Sequence, residues 1–171
     1  MNKTIAIVGL GRFGKILKEL LENDFKLIII GRNNPSDIVA ADVIFYCVPI
    51  SAFESVIKSH KKYFKDDNLL IDVLSVKMHP KKIFEKHLQG LKTQALLTHP
   101  MFGPDSSMNG FSGLPLIMDK FKADEENYNF WKDYFTNKGL KIIEMTAQKH
   151  DQLAANSQGL THFIGRLLEK F

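Results

Sequence analysis

Three segments of this chain carry groups that could do chemistry together. Residues 5–14 read Ile-Ala-Ile-Val-Gly-Leu-Gly-Arg-Phe-Gly, a short apolar run passing directly into the spacing G-x-G-x-x-G. The glycines have separate tasks: Gly9 permits a tight strand-to-helix turn, Gly11 lets backbone approach a pyrophosphate, and Gly14 lets the helix pack close to the sheet. With Leu10, Arg12 and Phe13 they form a loop whose free N–H groups face an anion at the positive end of a helix. The second segment, Asp72-Val73-Leu74-Ser75-Val76-Lys77, puts a hydroxyl and an ammonium after an apolar run. The third, Thr98-His99-Pro100-Met101-Phe102-Gly103-Pro104-Asp105, puts an imidazole at the end of the next run. Oxidising an alcohol needs a base for the hydroxyl proton as hydride leaves, and imidazole titrates in the right range. Ser75 would hold the same hydroxyl. The competing reading of the glycines is an ordinary strand–helix turn.

The end of the second apolar run selects the dinucleotide. Leu27-Ile28-Ile29-Ile30 leads into Gly31-Arg32-Asn33. An NAD site usually carries Asp or Glu here to bind the ribose 2′-hydroxyl. Gly31 removes that carboxylate and its repulsion, and Arg32 could pair bidentately with a 2′-phosphate. NADP is therefore expected over NAD, the alternative for Arg32 being a solvated turn residue. Cys47, Val48 and Pro49 end the third run, where doubly wound sheets open their ligand crevice, and join the expected cofactor set.

The elements that must position these groups follow from periodicity. Apolar runs near 4–9, 26–30, 43–48, 69–73, 94–98, 115–118 and 140–145 read as strands. Helical spacing occupies 13–22, 51–64, 78–88 and 125–138. Such alternation predicts a doubly wound, mostly parallel α/β sheet. The link from Arg32 to Asp42, with Pro35 inside it, is too short for a crossover helix and predicts one turn or a loop. From Ala147 to Phe171 there is no proline, and Leu153, Leu160, Ile164, Leu167 and Phe171 recur with helical period. One long helix is expected there, its apolar stripe needing a partner surface. A homodimer built through it is the expected answer.

Composition narrows the class. At 171 residues and 44% hydrophobic the chain can bury a good core. Its 23 basic and 19 acidic residues leave +4, spread over lysine-rich helix faces, and no nucleic-acid motif is present. No apolar run approaches membrane-spanning length and no signal peptide is read at the N-terminus, so no membrane partner and a reducing cytoplasm are expected. The single Cys47 excludes an internal disulfide, and no histidine or carboxylate cluster suggests a metal. Of the six histidines, His60, His79 and His87 sit among lysines and read as surface residues. His150, before Asp151 near a helix start, could cap or act beside the chemistry, and His162 reads as a core or interface residue.

At this point the chain resembles the arogenate/prephenate dehydrogenases of tyrosine biosynthesis, in particular their NADP-using arogenate branch. The matching segments are Gly9 to Gly14, Asp72 to Lys77, Thr98 to Ser106, His150-Asp151, and Thr161-His162-Phe163, in the family's order. The resemblance implies a Rossmann-like NADP-binding domain over 1–146, and 147–171 as the start of a helical dimerisation domain. It implies oxidative decarboxylation of arogenate or prephenate, with hydride leaving ring C4, His99 taking the hydroxyl proton and Ser75 binding that hydroxyl. It also implies substrate contacts from His162, Gly103 and Asp105. Typical members continue into further helices that supply an arginine for the ring carboxylate. This chain stops at Phe171, which leaves Arg166 or a second copy as the expected substitute. The alternatives are another NADP oxidoreductase of similar fold, or an NADP-binding module without turnover.

Overall fold

The computed structural model describes residues 3–156. The elements run β1 (Thr4–Val8), α1 (Arg12–Leu21), β2 (Lys26–Ile30), β3 (Val43–Tyr46), α2 (Ile50–His60), β4 (Leu69–Asp72) and α3 (Met78–His87). They continue with β5 (Gln94–Pro100), α4 (Pro104–Ser107), β6 (Pro115–Asp119), α5 (Glu125–Asn137), β7 (Lys141–Glu144) and α6 (Ala147–Ala154). Between β2 and β3 lies one stretch of 3₁₀ helix, Pro35–Ala40, the short link that Pro35 and the chain length allow.

Seven strands form one sheet in the order β2-β1-β3-β4-β5-β6-β7. All neighbours are parallel except β5 and β6, which pair antiparallel with His99 opposite Ile117. This is a Rossmann-like α/β fold. Side chains alternate across the pleat, so each strand feeds two cores. Ile5, Ile7, Phe45 and Ile71 face one side, covered by Leu17, Leu20 and Leu21 of α1 and by Tyr128, Trp131 and Phe135 of α5. Ala6, Ile44, Tyr46 and Leu70 face the other, covered by Phe53 and Ile57 of α2 and by Ile83 and Phe84 of α3. Trp131 is fully buried, with Phe45 edge-on at 5.1 Å between ring centroids. Its burial contributes about 3 kcal/mol by transfer area.

Strand order places the site. The chain goes from β1 outward to β2, then returns across β1 to β3, and a crevice opens where the two directions part. Because β1, β3, β4 and β5 are parallel, Gly9, Cys47, Ser75 and His99 follow or end their strands on one sheet edge. The expected helix from 147 is seen from Ala147 to Ala154, capped by Thr146, whose hydroxyl accepts the Lys149 N–H. Its expected continuation to Phe171, with His162, Arg166 and the dimer stripe, lies outside the described residues.

Candidate active site

Each glycine of the loop takes a different place. Gly9 has φ +92°, and a Cβ there would lie 2.7 Å from the Cys47 carbonyl oxygen, so β1 and β3 approach as only glycine permits. A Cβ on Gly14 would sit 2.2 Å from the Gly9 carbonyl oxygen, which makes Gly14 the packing contact between helix and turn. A Cβ on Gly11 would meet nothing within 4 Å. The space over Gly11 is thus open at the N-terminus of α1, where no side chain caps the helix and no acid occupies the first turn. Those backbone N–H groups are the donors an anionic diphosphate needs.

The adjoining cavity, about 490 Å³, is lined by Val8, Gly9, Gly11, Ile30, Gly31, Arg32, Pro35, Cys47, Val48 and Pro49, with Ala52, Val56, Ser59 and His60 of α2. Its apolar walls and a few polar groups at one end suit an adenosine. Arg32 is exposed beside Gly31. The loop between them and β3 is tied by Asn34, which accepts the Gly31 N–H at 2.8 Å and donates to the Ile29 carbonyl at 3.1 Å. Burial pushes the Cys47 thiol up, so it stays protonated. Leu10 and Arg12 line a neighbouring hollow with Lys15 and Pro104 rather than this cavity, Phe13 packs on Phe102 at 5.9 Å, and Asn33 is exposed outside both.

The α2 wall was not foreseen, and His60 corrects an expectation. It is buried, 3.3 Å from the Tyr46 hydroxyl, and lines the cavity instead of facing solvent. His87 is buried too, 3.2 Å from Glu54. The signal lay in spacing rather than in neighbouring lysines: Phe53, Ile57 and His60, at i, i+4 and i+7, share the inward face of α2.

At the other end of the edge, His99 lines a smaller hollow of about 180 Å³ with Met101, Ile117, Ile143, Met145, His150, Leu153 and Ala154. The His99 ring is buried, with Nδ1 2.8 Å from His150 Nε2. His150 Nδ1 in turn lies 2.7 Å from Asp151 Oδ1. Burial first, then the His150 ring and the Lys77 ammonium, pushes the His99 imidazole down to about 4. Beneath the strand ends the Lys77 ammonium is wholly buried, paired with the Asp72 carboxylate and donating to the Thr98 carbonyl. Burial drives Asp72 up and Lys77 down, each partner's charge opposing the shift.

The remaining expected site residues are not drawn to His99. Ser75 follows β4 on the same edge but is exposed and makes no hydrogen bond to a described residue. Gly103 caps α4, its N–H donating to Ser106 Oγ at 2.9 Å. Asp105 is almost fully exposed, 4.0 Å from Arg12 of the glycine loop, and does not line the hollow beside His99.

Residues 18–144 match the family described as "Prephenate dehydrogenase, nucleotide-binding domain". Arogenate dehydrogenase 2, chloroplastic, of Arabidopsis thaliana is 37% identical over 191 aligned residues, covering 98% of this chain and 53% of the relative. A probable arogenate/prephenate dehydrogenase of Methanocaldococcus jannaschii is 30% identical, covering 95% of this chain and 41% of the relative. The chain thus spans about half the length, or less, of these curated relatives. A crystal structure of prephenate dehydrogenase from A. aeolicus, in complex with hydroxyphenyl propionate and NAD+, shares the fold with a TM-score of 0.82 at 18% identity, covering 99% of this chain and 69% of that one.

Proposed function

The chain belongs to the prephenate dehydrogenase nucleotide-binding domain family, and on that premise we propose that it binds NADP and serves oxidative decarboxylation of arogenate or prephenate. One observation carries the reading: a buried imidazole, kept deprotonated, stands on the same sheet edge as an uncapped glycine loop. The residues present fit the cofactor, since the space over Gly11 is one a Cβ would fill and the adjoining cavity is apolar. Gly9, Gly11 and the first N–H groups of α1 would hold the diphosphate, the α2 wall the adenosine, and Arg32 a 2′-phosphate. When bound, the nicotinamide supplies the hydride acceptor.

His99 takes the proton of the ring C4 hydroxyl. Because its pKa lies near 4, it is ready as a base at neutral pH without prior deprotonation. Ser75, exposed on the adjacent strand end, would be the hydroxyl's second partner. Met101, Ile117, Ile143 and Met145 form an apolar wall beside the imidazole. The preference for arogenate over prephenate rests on the likeness to the arogenate dehydrogenase of Arabidopsis thaliana; Asp105, the only carboxylate between His99 and Gly113, stands outside the hollow beside His99.

The test follows NADPH absorbance with arogenate and with prephenate, beside a thermal shift with NADP and NAD separately. Reduction of NADP by either compound, faster with arogenate, is expected. A thermal shift with NADP but no reduction by either compound would leave cofactor binding and overturn the dehydrogenase. Equal binding of NAD and NADP would overturn the cofactor preference.

A further inference from the structure

His150 touches the proposed base and Asp151 touches His150, neither with a task in the chemistry so far. Asp151 is held on both oxygens. Oδ2 accepts the Met78 N–H at 2.8 Å, and Oδ1 accepts the Lys77 N–H at 2.8 Å while facing His150 Nδ1. Burial raises this carboxyl, but the Met78 N–H, the His150 ring and the Lys77 N–H outweigh it and hold it below the usual carboxylate range. An ionised carboxylate only accepts, so the proton in the His150–Asp151 contact sits on His150 Nδ1. With that one proton on Nδ1, His150 offers a lone pair at Nε2. The contact of 2.8 Å to His99 Nδ1 needs one proton, and in that arrangement it comes from His99. His99 is left with a lone pair on Nε2, its other ring nitrogen, which makes no hydrogen bond to a described residue.

We propose that Asp151 and His150 are positioning residues that lock His99 in its Nδ1–H tautomer and receive its charge. This rests on the reading of His99 as the base. As the substrate O–H bond breaks, the proton bonds to His99 Nε2. The Nδ1 proton of His99 passes to His150 Nε2, so the positive charge moves one ring away and ends beside the Asp151 carboxylate. Surrounding charges favour that end. Lys77, ahead of α3, opposes a cation on His99, with Asp72 of β4 as its own partner. Asp119 of β6 is engaged by the Ala147 N–H at 2.6 Å. Among the described residues, Asp151 is the carboxylate that meets an imidazole of the pair. The contact between the rings spans 51 positions of sequence and joins β5 to α6, so it positions both elements as well as the proton.

The relay can be read without turnover. In the 171-residue chain labelled with ¹⁵N-histidine, long-range ¹H–¹⁵N correlations at about pH 7.5 should show His99 protonated on Nδ1 and bare on Nε2. His150→Phe removes the acceptor, and His99 should revert toward the Nε2–H form that a free histidine side chain prefers. His150→Gln keeps an acceptor but cannot take a proton. It should retain the Nδ1–H tautomer while turnover falls roughly 10–100-fold with KM little changed, and the acid limb of its pH–rate profile should move. A wild-type His99 carrying its proton on Nε2 overturns the relay, even in an enzyme that turns over. So does His150→Gln with an unchanged rate and pH profile. The Nδ1–H tautomer in a chain that oxidises neither compound supports the lock and overturns the dehydrogenase reading instead.

Discussion

At the glycine-loop end, the site is walled by backbone and small or apolar side chains: Gly9, Gly11, Gly31, Val48, Pro49 and Ala52. Its donors are the amides of a helix start. At the His99 end, side chain meets side chain: His99 on His150, His150 on Asp151, and Lys77 on Asp72 below them. The first arrangement leaves open space and free amide donors. The second leaves little space but fixes the protonation of one ring. The adenosine and diphosphate of a cofactor, which do not react, are best held by shape and by dipoles that need no titration, whereas a base must be tuned by burial and by neighbouring charges. The two ends should therefore fail in different ways when altered.

The largest effect is expected at His99. His99→Ala should lower kcat by roughly 10²–10⁴ and leave NADP affinity nearly unchanged; steady-state rates with a parallel binding titration check this. Ser75→Ala should cost less, because it removes one positioning hydroxyl. A His99→Ala chain with normal rates would put the base elsewhere and dissolve the contrast between the ends.

Next comes the buried pair beneath that end. Removing one partner strands the other charge, so Asp72→Ala should destabilise by about 3–5 kcal/mol, seen as a lower urea midpoint. Asp72→Leu with Lys77→Met should recover much of that loss, because the pair is replaced by packed apolar groups. A double variant no better than the single would mean that the pair stabilises in its own right.

The glycines sharpen the comparison. Gly14→Ala forces a Cβ into backbone and should cost up to about 3 kcal/mol in stability, whereas Gly11→Ala should leave the urea midpoint unchanged and weaken NADP binding. Equal stability losses at both positions would mean that the space over Gly11 is not free.

pH separates the ends again. His99 is near 4 in the fold against 6.5 for an ordinary histidine. Between those values the unfolded chain binds more protons, so stability rises with pH through that window and falls as the solution is acidified. His99 alone should remove about 2 kcal/mol between pH 8 and pH 5. Urea titrations of wild type and His99→Gln should differ in slope by that amount, and parallel slopes would contradict the buried, neutral imidazole.

The smallest effect belongs to Arg32. Arg32→Ala should weaken NADP by about tenfold or more, through a lost charge-assisted contact, and leave NAD binding unchanged. A parallel loss for both cofactors would assign Arg32 to the fold rather than to the 2′-phosphate.

Elements were legible in the sequence because their signals are local. The expected strands near 26–30 and 69–73 and the helix near 78–88 fall within a residue or two of β2, β4 and α3. Pro35 in a short link gave a 3₁₀ segment, as a missing N–H and too few residues require. The glycine spacing announced a turn that only Gly9 and Gly14 can make. Burial of His60 and His87 was written in helical period, but neighbouring lysines masked it, since charge next in sequence points to the opposite face of a helix.

What the sequence alone determined is therefore the alternation of strand and helix, the sheet class and the loop that opens α1. Each depends on residues a few positions apart. The antiparallel turn of β6 against β5, the α2 wall of the cavity and the chain of contacts from Asp151 to His99 were decided only in the tertiary structure. His99 and His150 lie 51 positions apart, and no local spacing states which strand end will meet which helix. The imidazole's pKa was decided there too, because it is set by burial and by Lys77 and His150, which reach His99 only once the sheet has closed around it.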